Sequence, residues 1–236
     1  MEEPELREIL AAVREFVRNV VVPAEDDIEA TDEIPIRIRD AAAAMGLYGF
    51  AIPAAYGGLG LSLPEEVRLV FELGYAAPAF RSLFGTNNGI AGHVLLEGGT
   101  GKQRAEYLPQ LASGEWTASF ALTEPEAGSD PSTLVTSAFP DGGDWVVTGT
   151  KRFITNAPYA DVFMVFARTD PEAPASRGIS ALLVERGRPG LSVAPKDRKM
   201  GQAGAVTARL YEGTSQIQQL IIARELLRAA RETAAR

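Results

Sequence analysis

What most constrains the fold of this chain is a change of hydrophobic period at Gly114. Before it, apolar residues recur every three or four positions, the spacing that gives a helix one apolar face. Leu6, Ile9, Leu10, Val13, Phe16, Val17, Val20 and Val21 make such a face over residues 4–21, and Pro23 is expected to end that helix. Further helices are expected over about 35–45, 63–76 and 82–97, with a short one opened by Thr100-Gly101-Lys102-Gln103 and closing near Leu111. Ser62 and Glu65 have the spacing of a capping box, and Pro64 sits just inside the helix start. Residues 53–60, rich in Gly, are a loop by composition.

After Gly114, residues 116–122, 133–139, 144–150, 161–168, 178–185 and 191–194 alternate or carry β-branched and aromatic runs. Turn clusters such as Pro140-Asp141-Gly142-Gly143 separate them. From Ser215 the helical period returns through Ile217, Leu220, Ile221, Leu226 and Leu227. The pattern predicts an α+β protein in three parts. These are an N-terminal helical domain over 1–113, a central antiparallel β-barrel or sandwich over 114–200, and a region over 201–236 with a single C-terminal helix.

Composition excludes several chemistries. The chain has no cysteine, so it holds no disulfide, thiolate nucleophile or Cys-based metal site. One histidine, His93, rules out a His-rich metal centre, and no metal is expected. His93 falls on an apolar helical stretch, where a packed or partly satisfied side chain is the expected reading. A formal net charge of -8 argues against a nucleic-acid groove, which needs a basic excess. No apolar run reaches membrane-spanning length, and the acidic start Met1-Glu2-Glu3-Pro4-Glu5 is unlike a signal or transit peptide. A cytoplasmic protein without membrane or nucleic-acid partners is therefore expected.

Three segments carry residue types suited to binding chemistry, each with a plainer alternative. Thr123-Glu124-Pro125-Glu126-Ala127-Gly128-Ser129-Asp130 offers hydroxyls and N–H groups without bulk, as the rim of a flavin or phosphate site needs, or it is a surface turn. Phe153-Ile154-Thr155-Asn156 pairs a planar aromatic with a hydroxyl at a strand end, or simply buries a Phe. Tyr211-Glu212-Gly213-Thr214-Ser215 sets a carboxylate beside a glycine just before a helix start, a ready anion site. Its alternative is a helix cap with a dipole-complementing acid.

Taken together and in order, these segments resemble the acyl-CoA dehydrogenases. The stretch Leu108-Pro109-Gln110-Leu111-Ala112-Ser113-Gly114-Glu115, the segment from Thr123 to Asp130, Gly149-Thr150-Lys151-Arg152 running into Phe153, and the terminal YEGTSQIQQLIIAREL carry the resemblance. Glu25, the Gly46-Leu47-Tyr48-Gly49 turn and Tyr56-Gly57-Gly58 add to it. It runs from about residue 4 to 201 and resumes from about 206 to 228. The resemblance implies an N-terminal helical domain, a central β-domain and a C-terminal four-helix bundle, with FAD between the last two and partly against a second subunit.

It further implies that Phe120, Leu122, Thr123, Gly128 and Ser129 line the flavin, Ser129 also touching the acyl-CoA. Phe153, Ile154 and Thr155 flank the ring, where many relatives have Trp in place of Phe. Thr214, Ser215 and Gln216 contact FAD, and Gly213 and Arg224 contact substrate. Glu212 is the general base taking the α-proton of an acyl-CoA thioester while the flavin accepts the β-hydride, giving a trans-2-enoyl-CoA. Such a base needs a dry site that raises its pKa towards neutrality. An electron-transfer flavoprotein as electron acceptor and a homo-oligomeric assembly are implied as well.

The chain departs from that pattern after Lys199-Met200-Gly201. There residues 202–207 lead almost at once to Tyr211-Glu212-Gly213. A relative carries the last strands and most of a helical bundle at this point, about 100–150 residues. A single helix in place of the bundle is therefore expected. Two functional readings follow, an active FAD-dependent dehydrogenase and an inactive family member serving as a binding or oligomerisation module, with an acyl-CoA oxidase as a lesser rival.

Overall fold

The computed structural model describes residues 1–205. Helices α1 (Glu3–Phe16), α2 (Glu25–Thr31), α3 (Ile36–Ala44), α4 (Leu63–Leu73), α5 (Pro78–Gly85), α6 (His93–Gly98) and α7 (Gly101–Ser113) come first. Strands β1 (Ala118–Ala121), β2 (Ser137–Asp141), β3 (Asp144–Thr148), β4 (Val162–Arg168) and β5 (Ile179–Glu185) follow. The apolar stripe predicted for the first helix is the buried one. Leu6, Leu10, Val13, Val17 and Val21 share a core with Ile38, Leu69, Leu73, Phe80 and Phe84. The capping box at α4 forms, with the Glu65 carboxylate accepting from the Ser62 N–H at 2.6 Å. Thr100 and Gln103 make a second such box at α7.

Pro23 does not end the first helical run. The path widens into a π turn over Val17–Val21, tightens to a 3₁₀ turn over Val22–Ala24 and continues through α2 to Thr31. A proline inside a regular α-helix loses its N–H bond and collides with the carbonyl four residues back. The wide turn just before Pro23 relieves that collision. The helix expected over 82–97 begins earlier, at Pro78, and is likewise interrupted by a π-helical stretch, Thr86–Gly92.

That interruption carries two buried asparagines whose side chains join distant parts of the chain. Asn87 Nδ2 donates to the carbonyls of Leu111 (3.0 Å) and Trp116 (2.8 Å), and its Oδ1 accepts from the Ala118 N–H at 2.9 Å. Asn88 Nδ2 donates to the Leu47 carbonyl at 2.8 Å, and its Oδ1 accepts from the Ala51 N–H at 2.9 Å. Helix α7 stops at Gly114, whose φ of 78° needs no Cβ and whose bare Cα accommodates the Tyr48 ring.

The β region differs from the sequence expectation. Its five strands form one open, mixed sheet ordered β1-β4-β2-β3 with β5 paired to β4, not a closed antiparallel barrel or a sandwich. β1 runs parallel to β4, while β2–β3 and β4–β5 are antiparallel. Alternation in a sequence specifies which face of a strand is buried, not the direction of its neighbour. Direction is set here by Thr117 and Asp161, which start β1 and β4 side by side. The Asp161 N–H donates to the Thr117 carbonyl at 2.8 Å, and the Asp161 carboxylate accepts from the Thr117 N–H at 2.8 Å.

Two further stretches depart from the expected strands: 191–194, and the start of 133–139, which becomes β2 only at Ser137. Residues 191–194 form no strand. Pro131–Thr133 is a tight 3₁₀ turn, because Asp130 Oδ1 caps the Ser132 N–H at 3.0 Å and Pro131 presets the first turn. β4 is buried on both faces. Val162 and Met164 pack against Leu95, Tyr107, Leu108 and Leu111, whereas Phe163 and Val165 pack with Ala121 and Ile154. The expected C-terminal helix lies outside the described residues. Among those described, no helix is long and apolar enough to cross a membrane.

Candidate functional site

Two of the three segments singled out in the sequence meet at the end of β1. The first leaves the strand at Ala121 and is held by Glu124. That carboxylate is almost wholly buried and accepts from the N–H groups of Val135 (2.7 Å) and Thr136 (2.9 Å) and from Lys151 Nζ (2.8 Å). Lys151 also donates to the Leu122 carbonyl at 3.0 Å, and the Arg152 N–H donates to the Thr123 carbonyl at 2.9 Å. Residues 122–124 are thus bonded in turn to residues 151 and 152. Burial pushes the Glu124 pKa up, but the hydrogen bonds from Lys151, Thr136 and Val135 outweigh it and hold the group at about 2. Burial pushes the Lys151 ammonium down, against the pull of Glu124.

The second segment turns sharply. Phe153 has φ 59° and Asn156 φ 62°, both left-handed, and for a bulky aromatic that conformation is strained by about 1–2 kcal/mol. The surroundings impose it. Lys151 and Arg152 fix the entry, Ser119 Oγ donates to the Thr155 carbonyl at 2.7 Å, and Asn156 Nδ2 reaches the Ser82 carbonyl at 3.3 Å. The Arg152 guanidinium lies 4.8 Å from the centroid of the Phe153 ring.

Beside this turn, on the face of the sheet carrying Phe163 and Val165, lies a cavity of about 1070 Å³. Phe153, Ile154, Trp145, Val184 and Leu191 give it apolar walls, and Lys151, Arg152, Arg188 and Lys196 bring cations to it. Phe153 and Ile154, expected beside a ring cofactor, line this cavity. Leu122, Thr123 and Thr155 are half-buried next to them, and Gly128 and Ser129 are exposed on the outer part of the loop. Phe120 lies on the other face of the sheet, against Phe166 with ring centroids 4.8 Å apart, because β1 alternates and Ala121 takes the cavity side. Glu212, Gly213, Thr214, Ser215, Gln216 and Arg224 lie outside the described residues.

Loop 122–130 and turn 149–156 bring hydroxyls, an open glycine and an aromatic ring into one neighbourhood. The hydroxyls of Thr123, Ser129 and Thr155 donate to no other described residue, and a Cβ at Gly128 would meet open space, so a ligand can approach its backbone. Phe153 presents a flat apolar surface to the cavity, whose charged lining is mixed: Lys151, Arg152, Arg188 and Lys196 stand with Asp144 and Asp197. Among the described residues, no group of three acidic or histidine side chains is placed to hold a metal ion. His93 is exposed, not packed: it starts α6 on the side opposite the buried Ala91, Gly92 and Leu95.

Sequence reasoning did not single out the Glu124–Lys151 pair or Asn87. Glu124 stands inside a motif it did quote, but nothing in one sequence says that an acid and a lysine 27 positions apart share a buried contact. The only signal was an acid and a lysine each set beside turn residues.

Comparison with known proteins gives consistent matches along the chain. Residues 3–115 match the acyl-CoA dehydrogenase N-terminal domain, and residues 119–212 the acyl-CoA dehydrogenase middle domain. An acyl-CoA dehydrogenase of Bacillus subtilis (strain 168) is 35% identical over 205 residues, 87% of this chain and 54% of the relative. The crystal structure of an acyl-CoA dehydrogenase from Geobacillus kaustophilus superposes with a TM-score of 0.80 at 34% identity, covering 88% of this chain and 55% of that one. A glutaryl-CoA dehydrogenase from Mycobacterium smegmatis, solved in complex with FADH2, gives 0.79 at 31% identity, covering 88% and 52%. The chain therefore spans about half the length of the relatives it matches.

Proposed function

The chain belongs to the acyl-CoA dehydrogenase family, and from that premise we propose that it serves an FAD-dependent oxidation of acyl-CoA thioesters to trans-2-enoyl-CoA. The observation that carries this reading is the bonded junction of loop 122–130 with turn 149–156 beside a large cavity that Phe153 and Ile154 line. Phe153 and Ile154 offer the flat wall for the ring. Thr123, Ser129 and Thr155 offer hydrogen bonds to its polar edge, and Gly128 leaves room for close approach. When bound, FAD supplies the two-electron acceptor that no side chain of this composition provides.

Glu212 is assigned the proton. The α-hydrogen of a thioester is a weak acid, so the carboxylate has to be held close to it and shielded from water, where its pKa rises towards neutrality. Gly213 and Arg224 are assigned to the thioester and the CoA. Thr214, Ser215 and Gln216 are assigned to FAD. An electron-transfer flavoprotein is the proposed electron acceptor, and a homo-oligomer the proposed assembly.

The test is anaerobic mixing of the flavin-loaded protein with acyl-CoAs. Bleaching of the flavin band in the parent, lost in Glu212→Gln with flavin retained, supports both the reaction and the base. Turnover retained in Glu212→Gln would remove Glu212 from that role. A second reading is an inactive family member serving as a binding or oligomerisation module. It predicts flavin binding without bleaching.

A further inference from the structure

The cavity beside Phe153 has one wall that is not part of the sheet. After β5 the chain turns at residues 186–190, and residues 188–197 line the cavity. Leu191 and Val193 are half-buried and pack against the cluster of Ile154, Phe163 and Val165, while Ser192 and Ala194 are exposed. That is the alternation of a strand, yet no strand among the described residues pairs with it. The Leu191 N–H donates to the Arg188 carbonyl at 3.2 Å, and the Gln202 carbonyl accepts from the Ala205 N–H at 3.1 Å. Between those two bonds, no backbone group of residues 192–201 bonds to another backbone group of the described residues. A segment with few buried contacts and a solvated backbone opens at low free-energy cost.

The far end of this segment is held at one residue of the helical region. Asp32 follows α2 in the left-handed conformation, with φ 54°. Its carboxylate lies 3.2 Å from Lys196 Nζ and 3.8 Å from Lys199 Nζ. The same carboxylate accepts from the Gly204 N–H at 2.9 Å, and the Asp32 carbonyl accepts from Lys196 Nζ at 3.0 Å. Gly204 is seated tightly: a Cβ there would come within 2.5 Å of Ile28 and 3.2 Å of Ile34. Ala205 is buried next to it in sequence.

We propose that residues 189–203 are a strap that forms a movable wall of the cavity, latched to Asp32 through Lys196 and Lys199. With the latch closed, Leu191 and Val193 cover the face of the sheet that carries Phe163. With it open they lift away while Gly204 and Ala205 stay seated, and a ligand enters along the sheet. The latch is the part that yields, because Lys196 and Asp32 are each about a third exposed and such pairs are weak in water. The packed contacts of Gly204 and Ala205 are the part that holds. This inference rests on the cavity that the proposed function assigns to the flavin, but not on its occupant. It is read on the protein without flavin, so a failure of flavin binding leaves it standing.

The chain has no cysteine, so one introduced thiol reports on the strap alone. In Leu191→Cys, alkylation by iodoacetamide, a neutral reagent, quickens as the strap lifts, with rates compared at equal thiolate fraction. Asp32→Asn keeps a residue that tolerates the left-handed turn and keeps an oxygen for the Gly204 N–H, but removes the charge facing both lysines. With two partly exposed ion pairs lost, alkylation should rise about three- to fivefold. Lys196→Gln/Lys199→Gln should raise it at least as much, and adding Asp32→Asn to that pair should raise it no further, since both remove one latch. Val13→Cys, in the core under α1, should alkylate at the same rate with or without these substitutions. Unchanged alkylation at residue 191 would mean that the latch does not hold the strap. An equal rise at Val13→Cys would mean that the substitutions loosen the whole fold. Either result overturns the proposal.

Discussion

Replacing Lys151 by Met removes the cation from a carboxylate that is 2% exposed and leaves Glu124 with two backbone N–H donors. A carboxyl held at about 2 instead of 4.5 is stabilised as the anion by roughly 3 kcal/mol. Lys151 supplies part of that, and its own burial, which pushes its pKa down, takes part back. Breaking a buried pair by removing one partner nevertheless costs about 3–5 kcal/mol, because the remaining charge has no compensation. With two amides still bound to Glu124, we expect a loss of about 2–3 kcal/mol at pH 7, or about 5–10 °C in Tm for a chain of this size. Urea unfolding followed by far-UV circular dichroism measures it.

The pH dependence gives the sign. The folded pKa of Glu124 is depressed, so its contribution is complete above the unfolded value near 4.5 and is lost as pH falls through about 2. The parent should weaken across that window, and Lys151→Met should weaken less. Adding Glu124→Gln to Lys151→Met should recover part of the loss, since it removes the stranded charge. If Lys151→Met unfolds within about 0.5 kcal/mol of the parent, the pair is not what holds the 122–124 loop against residues 151–152, and the reasoning fails.

Other outcomes follow from the same geometry. Asn87→Ala should cost about 2–4 kcal/mol, read by urea unfolding, because it takes the side-chain partner from the Trp116 carbonyl and the Ala118 N–H and leaves the Leu111 carbonyl only the Gly114 N–H. Burial first, and then the hydrogen bond to Glu185, push the Tyr107 pKa up to about 12. A raised folded pKa gives stability that is complete below the unfolded value near 10 and is lost as pH rises through 12. Urea midpoints between pH 9 and 12 should therefore fall in the parent and stay flatter in Tyr107→Phe.

The helical half was legible because its signals are local. The spacing of Leu6, Leu10, Val13 and Val17 and the Ser62/Glu65 box each act within a few residues. Pro23 misled because a proline's effect depends on the turn before it, and the widening at Val17–Val21 leaves no mark in the hydrophobic period. The sheet was legible as strands but not as a topology. The unbroken apolar run of β4 says that two faces are buried, while the parallel pairing with β1 depends on Thr117 meeting Asp161, a contact between residues 44 apart. For the same reason the segments containing Thr123 and Phe153 could be named as candidates, but their junction through Glu124 and Lys151 could not. Phe120 went to the opposite face from Ala121 by simple strand alternation, which a motif read as a string does not express.

The measurement that bears most directly on the account is a titration of the purified protein with FAD, followed by the visible spectrum and flavin fluorescence. The account predicts saturable binding with a shifted, structured flavin band, weakened at least tenfold by Phe153→Ala. An unchanged free-flavin spectrum at every protein concentration would contradict it.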